Sequence, residues 1–166
     1  MTVKIKDTLT ADGERFERMM KDLKKMEVRI GIQQKMVSRK RGKKGGKKSS
    51  QKDVDLVDIA MWNELGTVRS PSRPFLRDSV DKHTSEIYAM LQRTAKRLAK
   101  GESAEDALKR IGVYQKGLIR KEIVNGDFAP NAPSTIREKG SDRPLIDTGR
   151  MRQSVNYVIQ EKGESD

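Results

Sequence analysis

The chain has 166 residues and a net charge of +12, with 34% hydrophobic and 36% charged residues and only seven aromatics. That length suits one ordinary domain, residues 1–166, whose core is thin and whose helices are long and solvated. The absence of cysteine excludes disulfides, thiolate catalysis and thiolate metal sites, and no apolar run nears the roughly 18 residues of a membrane span.

Val3 and Ile5 alternate with lysines, a weak edge-strand signal, and MTVKIKDTLT lacks the apolar core of a signal peptide, so synthesis in the cytoplasm is expected. From Thr10, a suitable N-cap, Phe16, Met19, Met20 and Leu23 follow the i, i+3, i+4, i+7 spacing of an amphipathic helix. The period then changes to two, with Val28, Ile30 and Ile32 on one face of a strand and Glu27, Arg29 and Gln33 on the other.

Charge is unevenly spread. Lys35, Arg39, Lys40, Arg41, Lys43, Lys44, Lys47, Lys48 and Lys52 fall in one acid-free segment, whereas the rest of the chain carries 27 basic residues against 24 acidic. Glycine, serine and mutually repelling lysines predict a flexible basic loop at about 35–52. Lysines that neutralise phosphates release counterions, so the loop suits a polyanion, either DNA or an acidic neighbouring protein. It has no aromatic side chain to stack a base, and a merely solvated loop is the bland alternative.

Asp53 is a candidate N-cap for a helix carrying Leu56, Val57, Ala60, Met61 and Leu65, with Gly66 placed to end it. Its apolar residues cover more than half its surface, which predicts central burial with Trp62 at the edge. In GTVRSPSRPFLRDS two prolines force an extended turn, with Pro74 in the first turn of a new helix. Val80, Thr84, Ile87, Leu91, Thr94 or Ala95, and Leu98 form the seam of one long helix running to Lys100, stopped by Gly101.

Ser103 and Asp106 resemble a capping box for a further helix bearing Ala107, Ile111, Tyr114 and Leu118 and ending near Asn125-Gly126. The two long helices are expected to pair antiparallel. DFAPNAPSTIREKGSDRP reads as an irregular loop with a helical turn after Ser134. Thr148 then caps a short turn over 149–153, and Val155, Tyr157 and Ile159 alternate in a last strand before a frayed end at about 161–166. The expected fold class is α+β, a small antiparallel sheet of the strands at 27–33 and 154–160 packed against several helices.

Little of this points to chemistry. His83, the only histidine, sits beside the helix seam, where a partly exposed side chain is the simplest expectation. Asp147-Thr148-Gly149 has the form of an aspartic-protease turn, but Arg150 follows, one copy exists and the dyad needs two carboxylates. The better reading is a structural joint in which Pro144 stiffens the approach, Leu145 and Ile146 anchor in the core, and Asp147 accepts backbone or arginine hydrogen bonds. The acids are scattered singly, so no metal site and no cofactor is expected.

Two segments together carry a resemblance. MWNELGTVRSPSRPFLRDSV, residues 61–80, resembles an E-x-G-T … P-x-R-P-F-L block, and APNAPSTIREKGSDRPLIDTGRMRQSVNYVI, residues 129–159, resembles an L-x-P-x-T-I … K-G … P-L-I-D-T-G-x-L-R-x-S-I block. Both blocks belong to the tail-component and neck or tail-completion proteins of tailed bacteriophages, and they span about 50 of the 166 residues. Glu64, Gly66, Thr67, Arg73, Pro74, Phe75 and Leu76 match the first. Pro133, Thr135, Ile136, Lys139, Gly140, Pro144, Leu145, Ile146, Asp147, Thr148, Gly149, Arg152 and Ser154 match the second, with Met151 where the family often has leucine.

The resemblance implies a structural virion protein rather than an enzyme, a homo-oligomeric ring that joins the head connector to the tail tube or its terminator. DNA crosses such a ring, and the basic loop, which departs from the family pattern, either lines the channel or docks on an acidic neighbour. The alternative is a free-standing, non-specific nucleic-acid-binding protein using the same loop. Phe75 and Leu76 are expected beneath the sheet, and Arg73 to pair with the carboxylate of Glu64 or Asp147.

Overall fold

The computed structural model describes residues 10–32, 36–37 and 54–163. Val3 and Ile5 lie outside them, as do all nine cations of the basic segment. The fold is α+β and mostly helical, in the order α1 (Ala11–Lys25), β1 (Met26–Ile32), β2 (Met36–Val37), β3 (Val54–Asp55), α2 (Leu56–Leu65), α3 (Phe75–Asp81), α4 (Thr84–Ala99), α5 (Ala104–Asn125), α6 (Pro133–Lys139), α7 (Arg150–Ser154) and β4 (Val155–Glu161). As the alternating residues predict, β1 and β4 form a small antiparallel sheet. A second short pair joins Met36 to Asp55 and Val37 to Val54, so β2 occupies two residues of the expected loop.

The described residues form two compact units, one within residues 1–29, 84–114 and 157–166, the other within residues 30–83 and 115–156. In the first unit α1 packs against α4. Thr10 caps α1 as its sequence position indicates, its Oγ1 accepting the Gly13 N–H at 3.2 Å, while Asp12 and Glu14 at one end and Lys24 and Lys25 at the other complement the helix dipole. Lys162 N–H donates to the Lys25 carbonyl at 2.7 Å, which holds the end of β4. Ser103 also caps as expected, accepting the Asp106 N–H at 3.1 Å and donating its hydroxyl to that carboxylate at 2.7 Å.

The long helix expected to run to Lys100 is two helices, interrupted at Lys82-His83. His83 N–H donates to the Val80 carbonyl in a tightened three-residue turn, so the histidine lies between helices rather than within one. In DKHTS, Asp81, Thr84 and Ser85 are weak helix formers whose side chains compete with the backbone ladder. Along α4 the expected seam holds at Thr94 but not at Leu91: Met90 and Thr94 are buried while Leu91 is exposed. Thr94 is admitted because its hydroxyl donates to the Met90 carbonyl at 3.0 Å.

The second unit holds a core of Leu56, Ala60, Phe75, Ile119, Ile123, Leu145, Met151 and Val155, with Ile30, Ile32, Leu76 and Ile146 packed around it. Phe75 and Val155 are wholly buried, and a side chain of Phe75's size contributes about 1.5–3 kcal/mol by leaving water. The positions expected of Phe75, Leu145 and Ile146 therefore hold. Met151 is buried in the same core.

Central burial of α2 does not hold. Leu56 and Ala60 face the core, but Val57, Met61, Trp62 and Leu65 are exposed, because the core meets only one side of the helix. Its N-cap is Asp55 rather than Asp53, which lies outside the described residues; Asp55 Oδ1 accepts the Val57 N–H at 3.0 Å. Pro74 stands at the N-cap of α3 instead of in its first turn. The turn expected after Ser134 is a seven-residue helix with Pro133 at its start and Gly140, in the left-handed region, at its end.

Candidate functional site

The two motif blocks converge. Asn63 and Arg73 from the first, and Thr135, Lys139, Pro144, Leu145, Asp147, Thr148 and Gly149 from the second, line one cleft of about 670 Å³ in the second unit. Several motif positions have a local reason. Glu64, at the end of α2, turns its carboxylate onto the start of α3, accepting the Leu76 N–H at 2.8 Å and the Arg77 N–H at 3.0 Å. These are orphan donors of a helix N-terminus, which favours negative charge.

Gly66 ends α2 with φ of 79°, and a Cβ there would stand 2.8 Å from the Ser72 nitrogen. Thr67 Oγ1 accepts the Ser70 N–H at 3.1 Å and the Arg69 N–H at 3.3 Å, closing a tight loop braced by a hydrogen bond from Ser72 Oγ to the Glu64 carbonyl at 2.7 Å. Together these residues return the chain so that Arg73 N–H reaches the Asn63 carbonyl at 2.6 Å. The E-x-G-T sequence is a reversing joint between α2 and α3.

Arg73 pairs with neither carboxylate expected of it. Its Nε donates to the Ala129 carbonyl at 2.9 Å and its Nη2 to the Pro130 carbonyl at 3.1 Å, with longer contacts to Asn131 Oδ1 at 3.3 Å and Asn63 Oδ1 at 3.4 Å. Glu64 is committed to capping, and Asp147 is exposed and accepts no hydrogen bond among the described residues. Arg73 is 7% exposed, and its burial pushes the guanidinium below its ordinary pKa. Carbonyl and amide dipoles, rather than an opposite charge, compensate this buried cation.

Asn131 extends the network. Its Nδ2 donates to the Asp142 and Arg143 carbonyls at 3.3 and 3.2 Å, and Lys139 Nζ donates to the Arg143 and Pro144 carbonyls at 3.3 Å each. Burial lowers the Lys139 pKa, Asp147 opposes that shift and Arg73 adds to it, so these three charges sense one another across the cleft. The loop that leads to Leu145 is thus tied by Asn131 and Lys139 of the second block, and Arg73 of the first reaches it only through Asn131. Asn63 and Asn131 were not singled out from the sequence, although an asparagine between two prolines in APNAP is a polar side chain on a constrained loop.

Thr148 does not cap the following helix. Gly149 occupies the N-cap of α7 with φ of 73° and no side-chain cap, a conformation that explains the glycine after Asp-Thr. Ser154 closes the short helix, its hydroxyl donating to the Met151 carbonyl at 2.7 Å. Among the described residues no group of three or more His, Asp or Glu side chains is placed to hold a metal ion.

A half-buried ion pair escaped the sequence as well. Lys82 Nζ lies 2.6 Å from Glu122 Oε1 and 2.9 Å from Asp78 Oδ2, and its ammonium stands 6.0 Å from the Phe128 ring centroid. Hydrogen bonds to Glu122 and then Asp78 raise the Lys82 pKa. Residues 40 positions apart in the chain make this pair, so no local pattern announces it. No family model, curated protein or solved structure matches the chain.

Proposed function

We propose that the protein is a structural, non-enzymatic virion component of a tailed-phage neck, a ring-forming adaptor or tail-completion protein joining the head connector to the tail. The observation that carries the assembly part is the outer face of α2. Val57, Met61 and Leu65 are spaced four residues apart with Trp62 beside them, and they are 38, 47, 65 and 46% exposed. Contiguous apolar surface of this kind marks protein contacts, and methionine and tryptophan are enriched where interfaces are driest.

The motif residues support the same reading from the other side. They serve capping, chain reversal and loop anchoring, which is architecture, and leave α2 held rigidly with its apolar side outward. The identity of the assembly rests on the likeness of residues 61–80 and 129–159 to phage neck and tail-completion blocks.

Sedimentation velocity and negative-stain imaging of the purified chain test assembly, with rings or ring fragments expected. Trp62→Glu with Leu65→Glu should give a monomer whose circular dichroism and melting temperature match the parent. A parent that stays monomeric and binds DNA with steep salt dependence would instead establish the nucleic-acid-binding alternative. Absence of the chain from purified virions would sink the neck assignment.

A further inference from the structure

A second cleft, of about 520 Å³, lies between α5 and α7 and is lined by Arg120, Lys121, Val124, Asn125, Arg152 and Gln153. Three of these six side chains are cations and none is an acid. Lys121 and Arg152 are exposed and make no ion pair among the described residues. Glu122, next to Lys121 in the chain, is committed to Lys82.

Arg120 is fixed from behind. Its Nη2 donates to the Gln153 carbonyl at 3.2 Å and the Val155 carbonyl at 3.0 Å. Among the described residues neither the buried Nε–H nor Nη1 has an acceptor. A guanidinium anchored on one nitrogen with donors to spare is a preorganised anion ligand, because little side-chain freedom is lost when the anion arrives.

The ligand chemistry follows from the donor set. One arginine already saturates a planar carboxylate, whereas three cations and the amides of Asn125 and Gln153 match the several acceptor oxygens of a tetrahedral phosphate. Gathered cations also repel one another until an anion neutralises them. We propose that this cleft binds a phosphate group, with Arg120 as its fixed floor and Lys121 and Arg152 as its exposed arms. The inference is independent of the neck assignment.

The test is a titration of the full chain followed by ¹H–¹⁵N spectra of the side chains, with Arg120 Nε–H assigned by its loss in Arg120→Lys. Sodium phosphate is compared with sodium chloride at matched ionic strength. Arg120 Nε–H and the Asn125 and Gln153 amide signals should shift saturably in phosphate and stay still in chloride. Lys121→Gln with Arg152→Gln, both surface changes checked by an unchanged backbone spectrum, should weaken the response at least tenfold. A second arm uses a short DNA duplex. A response of the same signals to the duplex assigns a backbone phosphodiester as the source, and a response to inorganic phosphate alone assigns a free phosphate. Equal shifts in chloride, an undiminished response in the double variant, or silence in both arms would overturn the site.

Discussion

Glu64 caps a helix other than its own: its Oε2 accepts the Leu76 N–H at 2.8 Å across twelve residues of chain. With Oε1 on the Arg77 N–H, one carboxylate satisfies two donors at the start of α3 and fixes α2 to α3. Glu64→Ala should therefore cost about 1–2 kcal/mol, at the upper end for a lost cap. Glu64→Gln keeps an acceptor but not the charge, and should recover about half. Urea midpoints measure both, and an alanine variant as stable as the parent would refute the capping role.

At Gly66 two causes can be separated. Its φ of 79° is strained for any other residue, and a Cβ would also lie 2.8 Å from the Ser72 nitrogen. Gly101 has φ of 95°, but a Cβ there would meet nothing within 4 Å, so it isolates the conformational part. Gly101→Ala should cost about 1–2 kcal/mol and Gly66→Ala about 2–4 kcal/mol. Equal losses would mean that the loop yields freely to the added carbon.

Arg73 places a planar fork among acceptors from two loops. Lysine carries the same charge but cannot span the Ala129 and Pro130 carbonyls together with Asn63 and Asn131. Arg73→Lys should destabilise by about 2–3 kcal/mol and speed amide exchange in residues 129–146 more than in α1. Uniform exchange throughout the chain would show that Arg73 does not staple this loop.

Lys82 gives a pH dependence whose sign is fixed. Its pKa is raised above 10.5 by Glu122 and Asp78, so the stabilisation is complete below that value and is lost as pH rises through the folded-state pKa. Thermal melts of the parent should fall in this alkaline window, and those of Lys82→Met should lack that component. At neutral pH Lys82→Met strands the Glu122 carboxylate, whose side chain is 7% exposed, and should cost about 2–3 kcal/mol, less than a fully buried pair because Lys82 is 46% exposed. An alkaline decline that survives in the variant would point to a different group.

Much of the local structure was legible in residue order. Thr10, Ser103 and Gly66 mark helix ends because capping and positive φ depend on neighbours within a few residues. The change from a period near 3.6 to a period of two located α1 and β1, and Phe75, Leu145 and Ile146 announced themselves as apolar anchors beside prolines. The same locality explains the miss at Leu91 on α4. Met90 and Leu91 are adjacent and both apolar, so only the packing partner decides which is buried.

Residue order by itself determined the element types, most helix termini and the excess charge, since each follows from propensity, spacing or composition. It also leaves Asp147-Thr148-Gly149 as one copy with a single carboxylate, where an acid dyad needs two. Tertiary structure alone decided the long-range partners: Arg73 against backbone carbonyls instead of Glu64 or Asp147, Lys82 against Glu122, and Arg120 beneath Gln153 and Val155. It also decided that α2 covers the core with one side and leaves Met61 and Trp62 outside. Those outcomes depend on which surfaces meet after the chain has folded back on itself, and a buried charge takes whichever acceptors that packing brings within about 3 Å.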